Sequence, residues 1–216
     1  MNELDMIRQR HSVRAYQMRP IEPEKAAVIR AEIDRLNALS GLHMQLIEGA
    51  DNVFDRLPAR FWGWKYVPAY IALAAPAGEE WEEKCGYYGE ALVLFLQSLD
   101  LNTCWVGLFR ASAVRAELRE GERMVITIAV GYGETAGKPR KSKTVEQVTD
   151  AEEMPDWFRA GLECALLAPT AVNQQSFMFS LRHGVPSARV SGRGPFVRLD
   201  LGIVKYHFEV GSGRKL

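Results

Sequence analysis

Residues 85–101 contain the run ALVLFL, which is apolar on every side of a helix. A helix without a polar face has to be covered all round, so this one is expected at the centre of the molecule. Two more segments share that property. PAYIALAA (residues 68–75) and MVITIAVGY (residues 124–132) are unbroken apolar runs of strand length, as strands buried on both faces are. A buried helix and two buried strands call for a central sheet, antiparallel or mixed, with helices packed around it. The expected fold class is α+β.

Around that centre the chain repeats a pattern. In PIEPEKAAVIRAEIDRLNAL, Pro23 sits where a helix can start, and Ala26, Ile29, Ile33 and Leu36 recur at helical spacing. Gly41 ends that helix, and HMQLIEG (residues 43–49) reads as a short strand. Residues 152–167 are amphipathic again, with Phe158, Leu162, Ala165 and Leu166 on one face. The loop APTAVNQQ then leads into the strand SFMFSLR (residues 176–182). Helix, break and strand thus occur twice, and the second break is the longer and more polar. The chain reads as two related halves that pack together, residues 1–137 and 138–216, divided within the polar linker GETAGKPRKSKT. Residues 199–210 are expected to form a helix closing the core, and the tail GSGRKL is expected to fray.

Composition removes several function classes. Lys plus Arg and Asp plus Glu are both 27, so the chain lacks the basic excess with which nucleic-acid binders neutralise phosphates. No apolar run approaches the roughly 20 residues that cross a bilayer, so no membrane association is expected. The opening MNELDMIRQRHSVRAY carries acidic residues and no apolar centre, which does not suit a secretory signal. Cys85, Cys104 and Cys164 are odd in number and lack CxxC spacing, which points to a reducing compartment, the cytoplasm. His11, His43, His183 and His207 are scattered, and no metal site is expected. No GxSxG elbow appears, which counts against hydrolase chemistry. Gly131 and Gly133 are followed by Gly137, one place too late for the dinucleotide fingerprint.

Three clusters remain, each with two readings. Arg10, His11, Ser12, Val13 and Arg14 place two guanidinium groups around a hydroxyl, a set that suits a phosphate or another anion. The same residues also suit a solvated helix end, where cations meet a carbonyl-rich terminus. Arg140, Lys141, Ser142 and Lys143 are either a surface loop or a second clamp on that anion. Pro169, Thr170, Ala171, Val172, Asn173, Gln174 and Gln175 are either turn chemistry or uncharged donors and acceptors for a heterocycle or polyol. Cys104 beside Trp105 is a reactive thiol or a core residue. Phe61, Trp62, Trp64 and Tyr66 are a flat pocket wall or part of the core.

Taken together these segments resemble the FMN-dependent nitroreductase family. RHSVRAY is similar to its Arg-x-Ser-x-Arg/Lys motif, and CGYYGEALVLFLQSLDLNTCWVG to its central helix and the Gly-Leu-Gly-Thr-Cys-Trp-type turn after it. ITIAVGYGE and PRKSK are similar to its Ile-Gly-Tyr strand end and basic segment. APTAVNQQSF matches Ala-Pro-Ser-x-x-Asn-x-Gln-Pro-Trp position for position, with Thr170 for Ser, Ser176 for Pro and Phe177 for Trp. In the usual family order this last segment follows soon after the Arg-x-Ser motif; here it lies in the second half. That order resembles the subgroup with two half-units joined in one chain, the TM nitroreductase type.

The resemblance implies a nitroreductase-like fold and an FMN-dependent oxidoreductase. Hydride from NAD(P)H would pass through FMN to a nitroaromatic, a quinone or a similar acceptor by ping-pong exchange, with no acid–base side chain needed. Arg10, His11, Ser12 and Arg14 would hold the phosphate, ribityl and N1/O2 side of FMN, with Arg140, Lys141 and Lys143 completing the phosphate clamp. Val106 and Gly107 would set a backbone N–H near N5. Pro169, Thr170, Ala171, Asn173 and Gln175 would supply what the partner subunit supplies in dimeric relatives, so the chain is expected to be a monomer with an intrachain site or a weak homodimer. A flavin carrier or sensor without turnover, and a flavoenzyme of different redox chemistry on the same scaffold, are the alternatives.

Overall fold

The structure is a computed structural model, and it describes residues 2–50, 52–54, 64 and 66–216. The fold is α+β, and the chain divides into two compact units. One consists of Arg10–Trp81 and Leu92–Pro139 and is called here the sheet unit; the other consists of Met1–Gln9, Glu82–Ala91 and Arg140–Leu216 and is called the helical unit. The long helix α3 (Glu79–Ser98) runs through both.

In the sheet unit, helix α2 (Pro23–Ser40) begins at a proline, whose missing N–H costs nothing in a first helical turn. Gly41 ends it in the left-handed conformation at φ 75°, with its N–H bonded to Asn37 O. Asn37 then fixes the exit: its side chain donates to Met44 O at 2.9 Å and accepts from Met44 N–H at 2.8 Å. Ala26, Ile29, Ile33 and Leu36 are buried, and the helix lies on strand β1 (His43–Glu48). Strands β2 (Ala69–Pro76), β3 (Asn102–Val106) and β4 (Glu122–Gly131) complete an antiparallel sheet in the order β1-β2-β4-β3. Seven consecutive residues of β2, Ala69 to Ala75, are buried, as its unbroken apolar run demands.

In the helical unit, α4 (Asp156–Ala165) packs on α5 (Val197–Ser212), and β5 (Phe177–Arg182) with β6 (Val185–Val190) makes a separate antiparallel hairpin. Phe208 of α5 stacks on Phe179 of β5 at 4.6 Å and meets Phe158 of α4 edge-on at 5.6 Å. Helix α3 (Glu79–Ser98) contributes its 82–91 stretch here. Its approach to α5 is backbone to backbone: a Cβ on Gly86 would overlap Leu199 O, and one on Gly202 would overlap Glu83 O. His207 and Glu90, both fully buried, bond at 2.8 Å, and the other ring nitrogen of His207 lies 3.0 Å from Cys164 O. The carbonyl oxygen only accepts, so Nδ1 of His207 donates to it.

Asn102–Val106, read as a turn, is the edge strand β3. Its pairing to β4, Cys104 opposite Ala129, is a long-range contact that local spacing does not reveal. The helix expected over 152–167 starts at Asp156, because Pro155 occupies its N-cap. Helix α3 starts at Glu79, ahead of the expected Cys85, with Gly78 at its N-cap and glutamates in its first turn, where the helix dipole favours negative charge. The short helix α1 (Glu3–Gln9) and strand β6 carry too few periodic residues to stand out. The tail is held where fraying was expected: Gly213 caps α5, Lys215 Nζ donates to Tyr87 OH at 2.7 Å, and Lys215 pairs with Glu209. Of the aromatic cluster, Phe61 and Trp62 lie outside the described residues. Trp64 stacks on Phe54 at 5.4 Å against the cluster of Val13, Tyr16 and Tyr70, and Tyr66 is exposed. No helix among the described residues is long and apolar enough to cross a membrane.

Candidate functional site

The segment of residues 10–17 attaches to the sheet through its backbone. Ser12 pairs in parallel with Thr103 of β3, and Val13 N–H donates to Thr103 O at 3.0 Å. Gln17 N–H donates to Tyr132 O at 2.8 Å and Glu134 N–H to Ala15 O at 2.9 Å, so the segment also follows the end of β4. Val13 and Tyr16 turn into the core, and the Tyr16 hydroxyl donates to Val13 O at 2.8 Å. Gly137, at φ 82°, closes over the other side: a Cβ there would come within 2.6 Å of His11 Cβ.

Arg10, Ser12 and Arg14 all act electrostatically on the Cys104 thiol. Burial pushes that thiol up, while the Arg14 and Arg10 charges and a Ser12 hydrogen bond oppose the rise. Arg10 is 2% exposed, one of the largest buried side chains, whereas Arg14 is exposed. Val106 ends β3 and Gly107 follows it in this same unit, with Val106 O accepting from the Thr127 hydroxyl at 3.0 Å. Cys85, Cys104 and Cys164 are all buried free thiols.

The second group of candidate residues is built in the helical unit. After α4 the chain turns through residues 170–175, with a 3-10 turn at Ala171–Asn173. Val172, Asn173 and Gln175 have φ of 45°, 57° and 46°, the left-handed region that costs a non-glycine residue about 1–2 kcal/mol. What holds this geometry is a set of polar side chains. Gln175 is buried, and its Oε1 accepts from Lys143 N–H at 2.8 Å while its Nε2 donates to the Ser142 hydroxyl at 2.9 Å. Lys143 Nζ donates to Gln175 O at 2.7 Å, and Asn173 Nδ2 to Lys141 O at 2.8 Å. Arg140 reaches Leu166 O at 3.1 Å, and Thr170 Oγ1 accepts from Gln175 N–H at 3.1 Å. The basic segment and the Pro-Thr-Ala-Val-Asn loop, some 30 positions apart in sequence, are thus bonded into one surface.

Asp200, on α5, is a residue that the motifs do not mark. It is 5% exposed, and burial pushes its carboxyl up to about 6 against hydrogen bonds from Gln174 and Ala171. The available signal was a lone carboxylate within the apolar run LDLGIV, flanked by buried Leu199, Leu201, Ile203 and Val204. Arg10, His11, Ser12, Arg14, Val106 and Gly107 therefore sit in the sheet unit. Arg140, Lys141, Lys143, Pro169, Thr170, Ala171, Asn173 and Gln175 sit in the helical unit.

An antiparallel sheet carrying an Arg-x-Ser-x-Arg segment on its edge strand, with helices and a Pro-Thr-x-x-Asn loop, defines the nitroreductase fold, and solved structures bear this out. A Thermotoga maritima protein described as a "putative nitroreductase" superposes with a TM-score of 0.68 at 23% identity, covering 98% of this chain and 83% of its own. A Desulfovibrio desulfuricans protein, described as a "putative nitroreductase" and solved in complex with FMN, gives 0.54 at 17% identity, over 72% of this chain and 98% of its own. An FMN- and NADPH-dependent nitroreductase from Sphigopyxis sp. strain HMH gives 0.56 at 15% identity, over 71% and 100%. The chain belongs to the family described as "Putative TM nitroreductase", whose model matches residues 2–212. None of the curated protein sequences matches it.

Proposed function

We propose that the protein is an FMN-dependent oxidoreductase that takes reducing equivalents from NAD(P)H. The observation that carries this reading is the bonding of the basic segment, residues 140–143, to the uncharged donor loop, residues 170–175. FMN has an anionic phosphate, a polyol and a flat ring, and the residues present fit all three. Cations at Arg10, Arg14, Arg140, Lys141 and Lys143 suit the phosphate. The hydroxyl and amide groups of Ser12, Thr170 and Asn173 suit the polyol, with a backbone donor at Gly107. His11 and Pro169 shape the two segments, Val106 offers an apolar edge, and Gln175 ties loop to basic segment.

Bound FMN supplies hydride chemistry, so NAD(P)H and an acceptor such as a nitroaromatic or quinone use one site in turn. The protein's own part would be to hold the cofactor by its charged end and orient it with neutral hydrogen bonds. FMN-bound and FMN- and NADPH-dependent relatives of the same fold support this reading. One chain carries both the Arg-x-Ser-x-Arg cations and the Pro-Thr-x-x-Asn donors, so one FMN per chain is expected, in a monomer or weak homodimer. Three free cysteines suit the cytoplasm.

The test is turnover. FMN-loaded protein should oxidise NADH or NADPH faster in the presence of a quinone or nitroaromatic, with parallel double-reciprocal lines as ping-pong exchange requires. Tight FMN binding without any acceptor-dependent oxidation would favour a carrier or sensor instead.

A further inference from the structure

Helix α5 buries an apolar face from Leu199 to Val204, and Asp200 interrupts it. Its carboxylate is committed to the loop after α4. Ala171 N–H lies 3.0 Å from both Oδ1 and Oδ2, and Gln174 Nε2 donates to Oδ2 at 2.7 Å. Gln174 Nε2 also donates to Pro195 O at 3.0 Å, so two acceptors fix which way that amide faces. Every one of these bonds to Asp200 comes from an N–H donor. A carboxylate satisfies that set, while an amide or a protonated carboxyl would turn a hydrogen toward a donor.

The loop gripped in this way needs gripping. Val172, Asn173 and Gln175 are all left-handed, and Val172 is β-branched. Val172 is also 79% exposed, so its own packing does not hold the conformation. Gln175 and Lys143 fix the loop's far end; Asp200 fixes its near end, at Ala171 and Gln174. A loop set before its ligand arrives spares binding the entropy of ordering it.

We propose that Asp200, acting through Ala171 and Gln174, is a positioning residue that presets the 170–175 loop for FMN. This rests on the FMN reading above. Asp200 need not touch the cofactor; it holds the backbone that does.

The test titrates full-length apoprotein with FMN, following quenching of flavin fluorescence, and reads hydrogen exchange at the Ala171 amide. Wild type should bind FMN with that amide protected. Asp200→Asn should weaken FMN binding about 10-fold or more and expose the Ala171 amide to exchange while amides of the sheet unit stay protected. Unchanged affinity in a folded Asp200→Asn protein overturns the inference and leaves the FMN reading standing. Wild type that takes up no FMN overturns both. Should Asp200→Asn fail to fold, Gln174→Leu replaces it: a loss of about threefold or more supports the preset loop, and wild-type affinity overturns it. A merely structural Asp200 would lower protection across α5 and the sheet unit together, without a selective change at Ala171.

Discussion

The two segments proposed to meet FMN are held in opposite ways. Residues 10–17 are stitched to the sheet by main-chain bonds, from Val13 to Thr103, from Gln17 to Tyr132 and from Glu134 to Ala15. Residues 170–175 are bonded outward chiefly by side chains, those of Asp200, Gln174, Gln175, Lys143 and Asn173. Main-chain pairing survives almost any substitution, because every residue but proline supplies the same N–H and C=O. Side-chain bonds last only while those residues stay. The sheet-borne segment should therefore tolerate mutation with its backbone in place, and the loop should answer to single changes, some of them a helix away.

The largest effect should come from the helix that carries Asp200. Gly202→Ala places a Cβ on the Glu83 carbonyl, and α5 has to move off the 82–91 stretch of α3. We expect a loss of about 3 kcal/mol in urea denaturation, with hydrogen exchange rising at the loop before it rises at Val13. Equal loosening of both segments would break the comparison.

Asp200 gives the next effect through pH. Its carboxyl moves from 3.8 to about 6 on folding, with burial the leading cause. A raised acid binds its proton more tightly in the folded state, so its contribution to stability is fully present below about pH 4. That contribution is lost as pH rises through 6, and amounts to about 3 kcal/mol. The direct partners of this carboxylate, the Ala171 amide and the Gln174 side chain, are both uncharged. Urea titrations between pH 4 and 8 should show this decline in wild type and a flatter profile in Asp200→Asn. A steeper decline in the variant would contradict the assignment. The ionised form that grips the loop is thus the form that costs stability, as expected where a fold spends stability on function.

Arg14→Ala probes the sheet-borne side. Arg14 is exposed, so the variant should fold like wild type. We expect FMN affinity to fall about 10-fold, the size of one charge-assisted hydrogen bond, with a lower reduction potential for the bound flavin. Unchanged affinity and potential would remove Arg14 from the site. The smallest effect concerns Val172. Asn accepts the left-handed backbone better than valine, and Val172 buries little. Val172→Asn should raise apoprotein stability by about 1 kcal/mol in thermal or urea unfolding.

Much of this contrast could be read in the sequence on one side only. Pro23, Gly41 and the Ala26-Ile29-Ile33-Leu36 spacing fixed α2, and unbroken apolar runs marked β2, β4 and the core of α3. Hydrophobic period and turn residues are local signals, and these elements depend on little else. Strand β3 escaped because an edge strand of mixed residues owes its form to pairing with β4. The bonding of Lys143 to Gln175 and of Asp200 to Ala171 escaped for the same reason, joining residues 29 to 32 positions apart. The close crossing at Gly86 and Gly202 left two glycines inside helices as its trace, a signal that names a close approach without naming the partner.

The most direct measurement is the FMN content of the purified protein. Heat-released cofactor would be identified and counted against chain concentration, before and after reconstitution with excess FMN. We expect a yellow protein that releases FMN and approaches one FMN per chain. A colourless chain that takes up none, or a saturating ratio well below one, would contradict a complete FMN site within each chain.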